Sequence, residues 1–294
     1  MIGLIVKMLR KARYIIYALI EPLDYLWRKI NKMSVYPPIR LRRHSGSLGA
    51  LDGPGYEFVV LLKLIAGLES GQRMWDLGCG CGLLELALER SGWSGQAIAT
   101  DIHRPSITWA KRTISARDPS FVFLHADIYN QAYWPKGRLN VHQWLDRFPE
   151  SDFDLIVAKS FFTHVLPEEL DPYLSAVARR LKHDKGRALL TFFVLSALPS
   201  EKPIVRGPAI RFHSLPKTKD YALKNIAAPS AAVAYDGDYL RRRFREHNLS
   251  IQGDLHRGSW SGYPEGLSFQ DLFVLRREVS PASPGLLSGA SHHF

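Results

Sequence analysis

Residues 74–88 read Met-Trp-Asp-Leu-Gly-Cys-Gly-Cys-Gly-Leu-Leu-Glu-Leu-Ala-Leu, a short apolar strand, a glycine-rich turn and an amphipathic helix. Gly78, Gly80 and Gly82 have no Cβ, so the chain can take positive φ where the strand bends into the helix and a ligand can approach the backbone. Asp76 stands two residues before the first glycine. A carboxylate buried there is costly unless paired, which calls for backbone donors or a cationic ligand. A glycine turn that binds nothing is the plain alternative.

A dinucleotide fingerprint also opens a helix after a strand, but its third glycine would fall at Leu83. The pattern Asp76-x-Gly78-x-Gly80-x-Gly82 instead resembles the first motif of the class I S-adenosylmethionine (SAM) dependent methyltransferases. Cys79 and Cys81 both lie inside the turn. They are too close for a structural disulfide and too few for a zinc site, so no metal is expected.

The composition, 46% apolar and 23% charged, is that of a chain that buries a core. Its formal charge of +11 is uneven. Residues 1–44 hold ten Lys or Arg against Glu21 and Asp24, a net +8. Apolar runs alternate with basic residues over residues 1–33, and no run reaches the roughly 18 residues that span a bilayer. This segment reads as a basic amphipathic helix lying on an anionic membrane surface, as a helix docked on its own domain, or as an oligomer contact. Three parts are expected: a basic extension (1–44), a catalytic domain (45–278) and a disordered tail rich in Ser, Pro and Gly (279–294).

Within the domain, apolar strands are expected at 96–100, 121–126, 153–158 and 187–195, with two closing strands at 249–255 and 269–276. Asp101 ends the first of these, where such sheets bind the two ribose hydroxyls of an adenosine, although a helix cap is also open to it. Asp127 follows the next strand. Acidic residues at successive strand ends fit a ligand beyond the carboxyl edge of a parallel sheet. Residues 196–234 carry no clear assignment, and Arg241, Arg242, Arg243 and Arg245 read as a solvated basic helix face.

Residues 37–277 also resemble a bacterial group of class I methyltransferases. The shared pieces are Pro37-Pro38, the glycine turn, Asp127-Ile128-Tyr129-Asn130, Ser160-Phe161-Phe162-Thr163-His164, Thr191-Phe192-Phe193, Ala234-Tyr235-Asp236, the Gly-Ser-Trp-Ser-Gly run at 258–262 and Gln270-Asp271. The resemblance implies an α/β fold, a seven-stranded, mainly parallel Rossmann-like sheet flanked by helices, here with an N-terminal helical extension. It implies SAM as cofactor, held by Asp76, Gly78, Cys79, Gly80, Gly82, Asp101, Ile102, Asp127, Ile128, Lys159 and Ser160. In it, Asp127 would accept from the exocyclic amine of the adenine.

SAM carries an activated methyl, so the protein has mainly to align an acceptor and exclude water. An acceptor hydroxyl needs a general base. His164 is the candidate catalytic residue, with Tyr235 and Trp260 lining the substrate pocket; a structural histidine at a helix start is the other reading. The expected acceptor is an oxygen of a glycan, a lipid-linked sugar or a small metabolite. An RNA methyltransferase and a silent SAM-fold module are the rivals. Residues 159–164 lack the Pro-Pro-aromatic motif of nucleic-acid amino-methyltransferases, which argues against a nucleic-acid partner. The expected location is the cytoplasm, peripheral on the inner membrane face if the extension binds lipid.

Overall fold

A computed structural model describes residues 2–42, 53–195 and 210–278, with side chains from residue 15 onward. The expected tail from residue 279 lies outside the described residues.

The strands Arg73–Leu77 (β1), Gln96–Asp101 (β2), Phe121–His125 (β3), Leu155–Ala158 (β4) and Arg187–Phe192 (β5) pair in parallel. Two more, Leu249–Ile251 (β9) and Asp271–Arg277 (β10), close the sheet in antiparallel fashion, giving the order β3-β2-β1-β4-β5-β10-β9. The sheet has the expected seven strands. The chain leaves β1 in one direction through β2 and β3, then returns to β4 on the other side of β1. Ligands of open α/β sheets bind at this reversal, outside the carboxyl ends of the strands.

Side chains alternate across each strand, and every parallel strand is apolar on both faces because helices cover both. Trp75, Leu77, Ile156, Leu190 and Phe192 face one layer, which includes Val141–Arg147 (α6), Pro167–Arg180 (α7) and Gly237–Glu246 (α8). Met74, Leu155, Val157 and Leu189 face the other, with Gly53–Ile65 (α3) and Leu83–Arg90 (α4).

That second core also contains Tyr36 and Leu41, so the end of the expected extension packs with the domain. The long helix Ile2–Ile30 (α1) and the turn Ile39–Arg42 (α2) are joined through Asp24. This residue is 8% exposed; its carboxylate accepts from Arg28 Nε at 2.8 Å and the Ile39 amide at 3.2 Å, and it pairs with Arg42.

The unassigned stretch forms a separate three-stranded antiparallel sheet, His213–Leu215 (β6), Thr218–Leu223 (β7) and Val233–Tyr235 (β8). β5 ends at Phe192, short of residue 195, because the following residues leave the main sheet: Tyr235 donates its amide to Phe193 O at 2.8 Å, and Val194 bridges Tyr235. Asp271, fully buried, fixes this departure by accepting from Val194 N, Gly258 N and Trp260 Nε1 at 2.8, 2.8 and 2.6 Å. The small sheet is thereby held beside the carboxyl edge of the large one.

Candidate active site

The turn after β1 is stitched to β2: Gly78 N and Cys79 N donate to Thr100 O, at 2.8 and 3.1 Å, and Gly80 N to Asp101 Oδ2 at 2.9 Å. All three glycines have positive φ, at 85°, 59° and 78° for Gly78, Gly80 and Gly82. They do different things. A Cβ on Gly78 would fall 2.6 Å from the Phe161 ring at the ligand side, whereas one on Gly82 would meet Phe123 and Ile114 in the core.

Of the residues expected at the cofactor, all but Gly82 and Asp127 line a single cavity of about 560 Å³, and His164 lines it with them. Asp101 is central to it. Its second oxygen accepts from His103 N at 2.6 Å, so it ties the glycine turn to the loop after β2. Burial pushes its carboxyl up to about 6, against the pull of these two amides. The helix Arg104–Ala110 (α5) begins after His103 without a side-chain cap, so capping is not what holds Asp101 there.

Two charged residues of opposite sign share the cavity wall. Lys159 donates to Pro54 O, lies 4.3 Å from the centre of the Phe58 ring and is drawn down to about 8 by burial. Asp76 is 2% exposed and raised by burial, and Lys159 favours its ionised form. Beneath it lies Glu85, fully buried on α4. Among the described residues, Asp76 Oδ1 and both Glu85 oxygens have no hydrogen-bond partner beyond one another. Burial and the Asp76 charge raise Glu85 well above 4.5, so this pair shares a proton near neutral pH.

Because the folded values are raised, the pair supports the fold below the ordinary carboxyl range and loses that contribution as pH rises. Glu85→Leu is therefore expected to stabilise the ligand-free protein at pH 8 by about 1–3 kcal/mol, the cost of an unsatisfied buried carboxyl, and to do so less as pH falls toward 4.5. Denaturant unfolding at several pH values measures it; equal stabilisation at all pH values would reject the shared proton.

His164 sits in the loop between β4 and α7. Its Nδ1 lies 3.0 Å from Ser230 O and 3.1 Å from Tyr133 Oη. A carbonyl only accepts, so Nδ1 carries the proton and Nε2 is the acceptor nitrogen of the neutral ring. Burial lowers the imidazole below 6.5, with the carbonyls of Ser230 and Ala231 opposing, so the ring is neutral at pH 7.

Residues 75–184 match the model of a family described as a methyltransferase domain. Over these residues the chain carries a methyltransferase domain. Solved structures with the same fold include a complex between the Haloferax volcanii Trm112 methyltransferase activator and the putative methyltransferase, at 15% identity over 81% of this chain and 94% of that one, TM-score 0.50. Others are a 1,6-didemethyltoxoflavin-N1-methyltransferase of Burkholderia thailandensis (16% identity, 90% and 89% coverage, TM-score 0.48) and a SAM-dependent methyltransferase of Clostridium acetobutylicum (14%, 78% and 93%, 0.47). At such identities the likeness concerns the fold.

The residues present fit SAM as the methyl donor. The turn offers a cradle without side chains, Asp101 offers carboxylate oxygens at the end of β2, and Asp76 and Lys159 offer opposite charges to the zwitterionic amino-acid end.

Three expected residues of the methyltransferase lie elsewhere. Tyr235 is fully buried, donating to Val165 O at 2.7 Å, and Trp260 is 1% exposed, between Phe193 and Phe212 with its indole N–H on Asp271. A buried Tyr or Trp needs a partner for its polar tip, and here the protein supplies both, so neither lines the substrate pocket. Asp127 turns to Arg138 Nε at 2.6 Å and Trp134 Nε1 at 3.2 Å; this pairing lowers its pKa and keeps it off the cavity wall. In their place the cavity takes Tyr133, Glu169, Phe193 and Lys224. Of these, Tyr133 lies in a run after Asp127 that also holds Tyr129 and Trp134, and that aromatic cluster is the signal that could have marked it. Glu85 had a signal too, an acid flanked by Leu84, Leu86 and Leu88 on a helix that must face the core.

Proposed function

We propose that this chain transfers the methyl group of SAM to an oxygen of a glycan, a lipid-linked sugar or a small metabolite, with His164 as general base. The observation that supports this is the continuity of the cavity: the residues fitted to the cofactor and His164 line the same space. SAM, when bound, supplies a methyl group already activated on a sulfonium. The protein's part is to position, to keep water out and to take one proton.

Phe161, Tyr173 and Phe193 give the cavity apolar walls, while Tyr133, His164 and Lys224 give it polar groups. A few polar groups in an apolar cleft fix the orientation of a small acceptor. The neutral imidazole has its Nδ1 proton committed to Ser230 O, which leaves Nε2 to accept a hydroxyl proton. Ser160, at the end of β4, is held at φ 54°, with its amide on Thr191 Oγ1 and its hydroxyl on Gln270. A non-glycine residue is strained there, and such strain is kept where the surroundings enforce a particular backbone path.

The test is to incubate the protein with methyl-labelled SAM and separated glycan, lipid, RNA and metabolite fractions of its own cell extract. Alkali-stable label in a glycan, lipid or metabolite fraction is expected. Label confined to RNA would overturn the proposal.

A further inference from the structure

The N-terminal helix is docked along one edge only. One edge is tied down: Asp24 and Arg28 are buried, Arg28 Nη1 donates to Tyr36 O at 2.8 Å, and Glu21 pairs with Arg40. The other edge is apolar and uncovered. At about 100° per residue, Leu26, Leu19, Ile30, Leu23, Ile16 and Trp27 fall within an arc of about 100°. An apolar stripe this wide faces a core in a globular protein. Here Leu19, Leu23 and Ile30 are 73%, 68% and 71% exposed, and Trp27 is 47% exposed.

The charge says what covers it. Both acidic residues of the helix are engaged in ion pairs, Glu21 with Arg40 and Asp24 with Arg28 and Arg42, while Lys29 is exposed. Earlier in the sequence, Lys7, Arg10, Lys11 and Arg13 punctuate the same helix with no acidic residue among them. A second copy of this helix would bring like charge against like. An anionic lipid surface offers the opposite sign and an apolar layer for Leu and Trp side chains.

We infer that α1 lies in the interface of an anionic membrane, apolar stripe down, and that the Asp24 junction holds the methyltransferase domain against it. Among the described residues no helix is long and apolar enough to cross a membrane, so the contact is one of lying on the surface. The inference does not depend on the identity of the methyl acceptor.

The experiment is co-sedimentation of the full chain with vesicles of phosphatidylcholine alone or mixed with phosphatidylglycerol, alongside size-exclusion chromatography and SAM titration. Binding to the anionic vesicles is expected to be at least tenfold stronger than to the neutral ones and to weaken with salt. Leu19→Ser with Leu23→Ser should lower it at least tenfold, and Lys7→Glu with Lys11→Glu likewise. Both pairs should leave SAM affinity and the unfolding midpoint unchanged, since neither leucine is buried. Equal partitioning of the native chain onto both vesicle types would overturn the inference. So would a dimer that Leu19→Ser with Leu23→Ser dissolves in a chain that ignores vesicles, because the stripe would then be a contact between copies.

Discussion

His164→Ala is expected to slow methyl transfer by about 10²- to 10⁴-fold, the range of a lost general base, while SAM affinity stays within about twofold. The two readouts separate because the hydrogen bonds of His164 go to Ser230 and Tyr133, not to the glycine turn or Asp101. The measurement is incorporation of labelled methyl into whichever extract fraction the native protein labels, with SAM titrated separately by calorimetry. Burial holds the imidazole below 6.5, so the native rate should hold as pH drops through that value and fall only below it, as Nε2 becomes protonated. A purely structural histidine predicts another pattern: losing the contacts to Ser230 and Tyr133 would lower the unfolding midpoint, and the rate of the remaining folded protein would be near native.

Asp101→Ala is expected to weaken SAM binding by about 2–4 kcal/mol, roughly 30- to 1000-fold. The carboxylate has two tasks. It presents charged acceptors at the end of β2, and it holds the Gly80 and His103 amides that shape the turn and the loop beside the cofactor. Burial puts its pKa at about 6 in the free protein, and acceptance of ligand hydroxyls requires the ionised form, so native SAM affinity should fall as pH drops through about 6. In Asp101→Ala that pH dependence should vanish. Calorimetry across pH 5–8 checks both; a variant with native affinity and only about 1 kcal/mol less stability would show that the residue merely orders the loop.

The sheet was legible because each buried parallel strand is a short apolar run ended by a charged or turn residue: Trp75-Asp76-Leu77 into Gly78, Ile98-Ala99-Thr100 into Asp101, Ile156-Val157-Ala158 into Lys159. Burial on both faces leaves little freedom of composition there. The three-stranded sheet of β6, β7 and β8 was not legible for the opposite reason. β6 and β8 are three residues each, too short to show a period, and His213 and Ser214 of β6 are exposed, so hydrophobicity does not mark that strand either.

At the site, the positions set by local geometry were readable, since glycines at positive φ and an acid at a strand end must sit at the turn. Positions set by side-chain partners were not. Nothing near Tyr235 in sequence announces that Val165 O takes its hydroxyl, 70 residues away. Arg138, which engages Asp127 from 11 residues away, follows Gly137, whose α-carbon lies so near Ile128 O that a Cβ would come within 2.2 Å. The aromatic residues at 235 and 260 looked like ligand platforms because a polar-tipped ring serves a pocket and a core equally well.

The Asp24 junction bears on how the two ends of this structure depend on each other. Arg42 is 2% exposed, and its guanidinium finds its opposite charge on a helix 18 positions earlier. Trimming the chain between those two residues would maroon a cation inside the layer that also holds Cys81 and Leu84 of the glycine turn. An uncompensated buried charge disturbs its surroundings more than a lost contact does. Shortened forms of the protein would therefore report on a damaged cofactor cradle as well as on a missing helix, and residue-by-residue changes on the exposed stripe are the cleaner way to ask what the helix is for.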